Sequence, residues 1–318
     1  MDSGALPADP SPSSLRDPAE PAQEVEQPPL APGLYLVATP IGNLGDITLR
    51  ALDVLRRVDR IACEDTRQTQ KLLNHFRIAT PTVSCHEHNE RTRAAEIIQN
   101  IQAGKAIALV SDAGTPAVSD PGSDLTCAAI EAGIPVIPIP GASAAITALV
   151  ASGFSTAEFH FLGFLPEKAG ARRTRLEELA AEPRDSARTL IFYEAPHRIL
   201  DTLADLQAVW SPHLRVVLAR ELTKIHEEFW RGTVAALRAE LAARDRIRGE
   251  IVLLVEAPPR SATATAHNVA ESLAARVARM QSEEGIEEKE ALKRLARESG
   301  QSKSELYREL QRERARRR

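Results

Sequence analysis

Ala106-Ile-Ala-Leu-Val110 is an unbroken apolar run, and Ser111-Asp-Ala-Gly-Thr-Pro-Ala-Val-Ser-Asp-Pro-Gly122 follows it directly. A run this short, preceded by Gly104 and followed by a Gly/Pro-rich stretch, predicts a strand buried on both faces, as in a parallel sheet. The twelve-residue loop holds two glycines, two prolines, two aspartates and three hydroxyls. Glycines let a ligand approach the backbone closely, and ligands of open α/β sheets sit beyond the carboxyl ends of strands. A plain turn needs fewer special residues, so the loop reads as a ligand loop. Asp120-Pro121 predicts an N-cap with proline at the first helical position, opening a helix over 122–132.

Working outward, apolar periodicity predicts strands at 34–39, 60–63, 82–85 and 134–139, with helices at 48–58, 66–76, 91–102 and 141–151 between them. Alternation of this kind predicts a parallel α/β sheet with crossover helices. Past Gly153 the chain becomes richer in strands (159–165, 189–193, 215–219, 228–232, 250–256), with helices at 172–181, 197–209 and 234–243. A mixed second sheet is expected, giving α/β domains at 33–154 and 155–257.

The flanks differ from this body. Residues 1–32 hold one arginine against six acids and eight of the 21 prolines, which reads as a disordered acidic tail. Residues 258–266, beginning PPRSATAT, read as a linker. Residues 267–318 are helical in pattern: Ile286, Leu292 and Leu295 can share a face, and Ser302–Glu305 matches a capping box. From Lys289 to the end there are eleven Lys/Arg against five Glu. Two short helices around a Gly-Gln turn with a basic end resemble a helix-turn-helix, and phosphate neutralisation would give them a nucleic-acid contact. A plain helical hairpin with a solvated terminus fits the same residues.

Composition removes several classes. In 318 residues, 43% hydrophobic content suits a globular protein. The longest apolar candidate, 134–150, is broken by three prolines and a glycine, so no membrane helix is expected. The first residues lack the basic and apolar regions of a signal peptide. Cys63, Cys85 and Cys127 are odd in number and never CxxC, which argues against a disulfide framework or a zinc site. A cytoplasmic protein is the expectation. Aromatics at 4% do not suit a base-stacking platform. GxxxxGK[ST], HExxH and GxSxG are absent. His86 and His88 form a His-x-His pair without a compelling third ligand, so no metal is expected.

Further loops follow predicted strands. Ala38–Asp46 (ATPIGNLGD) is not a dinucleotide fingerprint, having only Gly42 and Gly45. Ile139–Ala145 (IPGASAA) offers small residues against which a flat cofactor could lie. Glu64–Arg67 (EDTR), Phe192–Arg198 (FYEAPHR) and Arg220–Glu228 (RELTKIHEE) put charges at strand ends. Each fits a salt-bridge network taken singly; together they read as the lining of an interdomain cleft.

ATPIGNLGDIT, CEDTR, SDAGTPAVSDPG, IPGASA, FYEAPHR, RELTK and GEIVLLVE, in this order over about 33–256, resemble the ribosomal RNA small subunit methyltransferase I family of the tetrapyrrole methylase superfamily. The trailing helices resemble that family's helix-turn-helix-like extension; residues 1–32 have no counterpart in its pattern. The resemblance implies two α/β domains with S-adenosylmethionine in the cleft between them, usually in a homodimer. It implies transfer of the methyl group to the 2′-hydroxyl of a decoding-site cytidine in 16S rRNA of the small ribosomal subunit. Tetrapyrrole-methylating relatives carry GxGPG after the first strand; Ile41 stands at their last proline, which fits the rRNA branch. Their cofactor loop falls on Ala113, Gly114, Thr115 and Val118, their Thr-Ala pair on Ser143 and Ala144, and further contacts on Glu194 and Leu222. Glu194 replaces an apolar residue there.

A ribose hydroxyl is a weak nucleophile, so a base or a hydroxyl-polarising cation should assist. Glu64, Asp65, Asp112, Glu221 and Lys224 are candidates. The expectation is that Lys224 and Arg67 hold the RNA phosphate or hydroxyl while Asp112 accepts the proton, with 267–318 docking the subunit. Two rivals stand beside it. A small-molecule, tetrapyrrole-type methylase would need no basic end. A non-catalytic nucleic-acid-binding regulator would leave the SDAGTP loop unexplained.

Overall fold

The computed structural model describes residues 28–86, 89–260, 277–278, 280–281, 286–299, 306–307 and 310. Five strands, β1 (Gly33–Val37), β2 (Arg60–Cys63), β3 (Thr82–Ser84), β4 (Ala106–Val110) and β5 (Val136–Ile139), form a sheet in the order β3-β2-β4-β1-β5. Every pairing in it is parallel. β4 is buried along its whole length, because alternate side chains enter cores on opposite faces. Ala106, Ala108 and Val110 pack with Leu55 of α1 (Leu49–Arg57) and Leu73 of α2 (Thr66–His75). Ile107 and Leu109 pack with Ile97 of α3 (Glu90–Gln102) and Leu125 of α4 (Ser123–Glu131).

The second sheet takes β6 (Phe159–Phe164), β7 (Arg188–Glu194), β8 (Arg215–Arg220), β9 (Glu228–Thr233) and β10 (Ile251–Ala257) in the order β6-β7-β10-β8-β9. It is mixed: β6 and β7 are parallel and the other neighbours antiparallel. α6 (Ala169–Ala181), α7 (Ile199–Val209) and α8 (Val234–Ala242) supply Leu176, Leu203 and Leu237 to one face, against Phe192, Leu218 and Leu253. The opposite face, with Ile191, Val217, Val252 and Leu254, packs on Ala145, Ala148 and Leu149 of α5 (Ala144–Ser152). α5 therefore joins the two sheets.

All ten strands and eight helices expected over 33–257 form, with ends shifted by at most three residues. Three shifts matter for the site. β1 ends at Val37, which frees Thr39 to bridge Gly114 through paired backbone hydrogen bonds of 2.8 and 3.1 Å. α5 begins at Ala144 rather than Gly141, leaving 141–143 as loop. The expected N-cap at Asp120 is corrected. Gly122, at φ +126°, holds that position, and Pro121 lies outside α4. The cap is supplied from a distance: Glu90 Oε1 accepts from the backbone N–H of Gly122 (3.0 Å) and of Leu125 (2.9 Å). A carboxylate there satisfies orphan donors and favours the positive end of the helix.

Residues 1–27 of the acidic tail, 261–266 of the linker and the capping box at 302–305 lie outside the described residues. Towards the end of the chain, α9 (Glu288–Ser299) contributes Ala291, Leu292 and Leu295 to a separate small core with Val277, Met280, Leu306 and Leu310. Among the described residues no helix is long and apolar enough to cross a membrane.

Glu90 is only 7% exposed, so its loss strands two buried donors. Glu90→Ala is expected to cost about 2–3 kcal/mol in urea unfolding, whereas Asp124→Ala, an exposed acid in the first turn of the capped helix α4, should shift the midpoint little.

Candidate active site

A cavity of about 340 Å³ lies where the strand-end loops of the first sheet meet the second. Its wall contains all nine residues marked for the cofactor: Ile41, Ala113, Gly114, Thr115, Val118, Ser143, Ala144, Glu194 and Leu222. Hydroxyls staple the loops that carry them. Thr39 Oγ1 donates to Ser111 O (3.2 Å), Ser111 Oγ to Gly114 O (3.2 Å) and Thr115 Oγ1 to Ala142 O (3.2 Å). Gly114 sits at φ +83°, and a Cβ there would lie 3.3 Å from Ile41 Cγ2. Ala117 (φ 66°) and Ser119 (φ 61°) hold left-handed conformations that non-glycine residues rarely adopt. Such strain, kept in a loop that faces a cavity, marks a functional segment.

The second half closes the cavity through 220–228. Lys224 Nζ binds Glu221 (2.8 Å) and Glu250 (3.1 Å), and its stem lies so close over Gly42 that a Cβ would stand 2.5 Å from Lys224 Cγ. The backbone N–H of Asn43 donates to Thr223 Oγ1 (3.1 Å). This loop clasps ATPIGNLGD from above.

Glu194 is fully buried and its oxygens are taken. They accept from Ala195 N (2.8 Å), from Arg198 Nε (3.0 Å) and Nη2 (2.7 Å), and from Thr202 Oγ1 (2.6 Å). The carboxylate anchors FYEAPHR to α7, which leaves the rest of the residue to face the cavity. None of the three residues marked for catalysis lines the wall. Arg67 is 87% exposed and pairs with Asp65 at 2.9 Å. Asp112 is exposed beside Ala113, its Oδ1 accepting from Asp65 N at 3.2 Å. Lys224 is held in the clasp just described.

The wall contains an acid that the sequence reading assigned to a helix cap. Asp120 is half-buried, lines the cavity and accepts no hydrogen bond among the described residues. Burial, with the charges of Glu64 and Asp112 nearby, pushes its carboxyl up to about 6. Tyr193, also missed, presents its ring edge-on to Phe161 and Phe164, with centroids 4.9 and 5.7 Å apart. Burial raises its hydroxyl pKa. The wall has three acids (Asp120, Glu194, Glu250) and no Lys, Arg or His. Among the described residues no cluster of His, Cys, Asp or Glu could hold a metal ion.

The family model of Tetrapyrrole (Corrin/Porphyrin) Methylases matches residues 33–238. The chain belongs to the tetrapyrrole methylase family. This methylase is 47% identical over 276 residues to ribosomal RNA small subunit methyltransferase I of a Synechocystis strain, covering 86% of this chain and 95% of that one. It is 54% identical over 223 residues to the protein of the same name from Halalkalibacterium halodurans, covering 70% and 75%. Among solved structures, uroporphyrin-III C-methyltransferase from Thermus thermophilus, complexed with S-adenosylhomocysteine, is 16% identical. It superposes with a TM-score of 0.51, covering 70% of this chain and 97% of that one. Diphthine synthase is 17% identical, with a TM-score of 0.53, covering 70% and 89%. Both share the fold of this methylase.

The raised Asp120 pKa sets a pH signature. Its folded-state value lies above that of an unfolded aspartate, so its contribution to stability is present below about pH 4 and lost as pH rises through about 6. Asp120→Asn should therefore raise the melting temperature at pH 8 and change it little at pH 4; an equal shift at both pH values would refute the assignment.

Proposed function

We propose that this methylase transfers the methyl group of S-adenosylmethionine to the 2′-hydroxyl of the decoding-site cytidine in 16S rRNA of the small ribosomal subunit. The observation that carries this reading is the cavity wall, in which all nine marked residues converge between the two sheets. Full-length relatives named for rRNA methylation support the substrate.

The wall fits the cofactor chemically. Ile41, Val118, Leu222 and Val252 give apolar faces for a flat base and a short aliphatic chain, and Gly114 leaves backbone open to it. Glu194 and Glu250 are paired with Arg198 and Lys224, while Asp120 faces the cavity without a partner among the described residues, so the wall suits a cation better than a phosphorylated cofactor. Bound there, S-adenosylmethionine supplies an electrophilic methyl on a good leaving group. Much of the rate then comes from holding the acceptor oxygen in line. As that oxygen forms its new bond, its proton must leave.

Asp120 is the wall carboxylate that accepts no hydrogen bond among the described residues, and burial gives it a basicity matched to neutral pH. It takes the proton in this reading. Burial, then the charges of Glu64 and Asp112, keep Asp120 basic, and Asp112, just outside the wall, remains the alternative acceptor. Lys224 and Arg67 serve the RNA side, Lys224 chiefly by holding the clasp. The methylase works as a cytoplasmic homodimer on this reading. Ile146 and Val150, one turn apart on α5 and exposed, provide an apolar face for a second copy. The basic residues of 267–318 dock the subunit.

The deciding experiment supplies labelled S-adenosylmethionine to small subunits from cells lacking the enzyme and maps the labelled ribose. Label on one decoding-site cytidine 2′-oxygen is expected. Cofactor binding without subunit labelling would point to a small-molecule acceptor instead. Asp120→Asn should lower kcat by about 10²–10⁴-fold with cofactor affinity retained. Near-normal turnover in both Asp112→Asn and Lys224→Ala would remove those two from the chemistry.

A further inference from the structure

Beside the cavity, on the far side of Glu221 and Glu250, lies a second hollow of about 410 Å³. Arg220, His226, Arg244, Arg246 and Arg248 line it, with Glu221 as its one acid. We infer that this hollow is a phosphate-docking surface that holds the single-stranded RNA backbone flanking the methylated nucleotide. The inference rests on the reading of RNA as substrate.

Position is the first argument. The two hollows share a partition made of consecutive residues: Glu221 faces one and Leu222 the other, and likewise Gly249 and Glu250. The Glu221 carboxylate accepts from Glu250 N (3.0 Å) and Lys224 Nζ (2.8 Å), which makes the partition rigid. Gly249 is required in it. Its φ is +89°, and a Cβ would fall 2.5 Å from Glu221 Cγ.

Charge is the second. The chain carries a formal charge of −4 and the cavity wall has no basic side chain. A polyanion brought to that cavity must be held by something next to it. Four arginines against one glutamate provide this, and guanidinium groups match phosphate oxygens in geometry as well as charge.

The state of those arginines is the third. Arg220 and Arg244 are fixed on Glu228, at 2.8 and 2.9 Å, and Arg244 also on Glu240. The two guanidinium groups pull the Glu228 carboxyl down to about 2, so this scaffold stays charged at any working pH. Arg246 and Arg248 are exposed, and neither side chain makes a hydrogen bond or ion pair among the described residues. Asp245, next to Arg246 in sequence, is not part of the wall. Two arginines hold the hollow in shape and two keep their donors available.

The test uses the full chain with Arg246→Ala/Arg248→Ala. Methyl transfer to small subunits is followed over a range of salt, and binding of a single-stranded RNA oligonucleotide of the decoding-site sequence is measured separately. The expected result is a KM for subunits raised about tenfold or more, a salt slope lower by about 1–2, and calorimetric S-adenosylmethionine affinity equal to wild type. Arg246→Lys/Arg248→Lys should recover part of the affinity. Unchanged KM and salt slope would overturn the inference. Loss of binding to intact subunits with oligonucleotide binding intact would also overturn it, assigning the hollow to a ribosomal protein. If wild type labels no subunit yet binds the oligonucleotide through these arginines, the hollow stands and the methylation reading fails.

Discussion

The packing of α5 against the second sheet is the contact on which the site depends. Ala145 and Ala148 are small enough to let the helix backbone come close to β7 and β10, and Leu149 fills the space beside them, against Ile191, Val252 and Leu254. A buried leucine of this kind contributes roughly 1.5–3 kcal/mol. The larger consequence is geometric. With α5 fixed, the loop before it, the Thr39–Gly114 bridge and the 220–228 clasp must all meet in one place. Ile41 belongs to the same apolar cluster, so the cavity wall and the inter-sheet core are one continuous surface. A change that loosens the core would also change the shape of the site.

Electrostatics divides the surface around that joint. The cavity wall is apolar and acidic, suited to a cationic cofactor, while the adjoining hollow gathers arginines, suited to a polyanion. A thin partition separates them, in which Lys224 bridges Glu221 and Glu250. Under the proposed function, one side of the partition serves the methyl donor and the other the acceptor strand. Asp120 keeps its raised pKa chiefly because it is half-buried, with the charges of Glu64 and Asp112 adding to the effect.

Much of this could be read from the residues. The loop 111–122 announced itself by its glycines and prolines, and Gly114 does occupy a conformation that favours glycine. Ile41, Ala113, Thr115, Val118, Ser143, Ala144 and Leu222 came from the resemblance of these motifs to the family, and all of them line the cavity. Asp120 was read as a cap because Asp-Pro at a helix start normally is one. The residue that does the capping, Glu90, lies 32 positions upstream of Gly122, and no local pattern reveals a partner so distant. Glu194 lines the cavity, but its burial against Arg198 and Thr202 gives its carboxylate an anchoring task that the motif did not reveal. Nothing local in RDRIR marks Arg246 and Arg248, which lie in the loop before β10 and gain their meaning from Arg220 at the end of β8.

The strand and helix pattern, the change of pattern past Gly153 and the motifs that point to the family were legible in the residues alone. These are encoded locally, in apolar periodicity and in the backbone freedom of glycine and proline. Only the tertiary structure decided which acid faces the cavity, which glutamates are spent on internal anchoring and where free cations collect. Those properties depend on burial and on charges brought together from far apart in the chain. Burial sets the cost of a charge, and its partners set whether that cost is met.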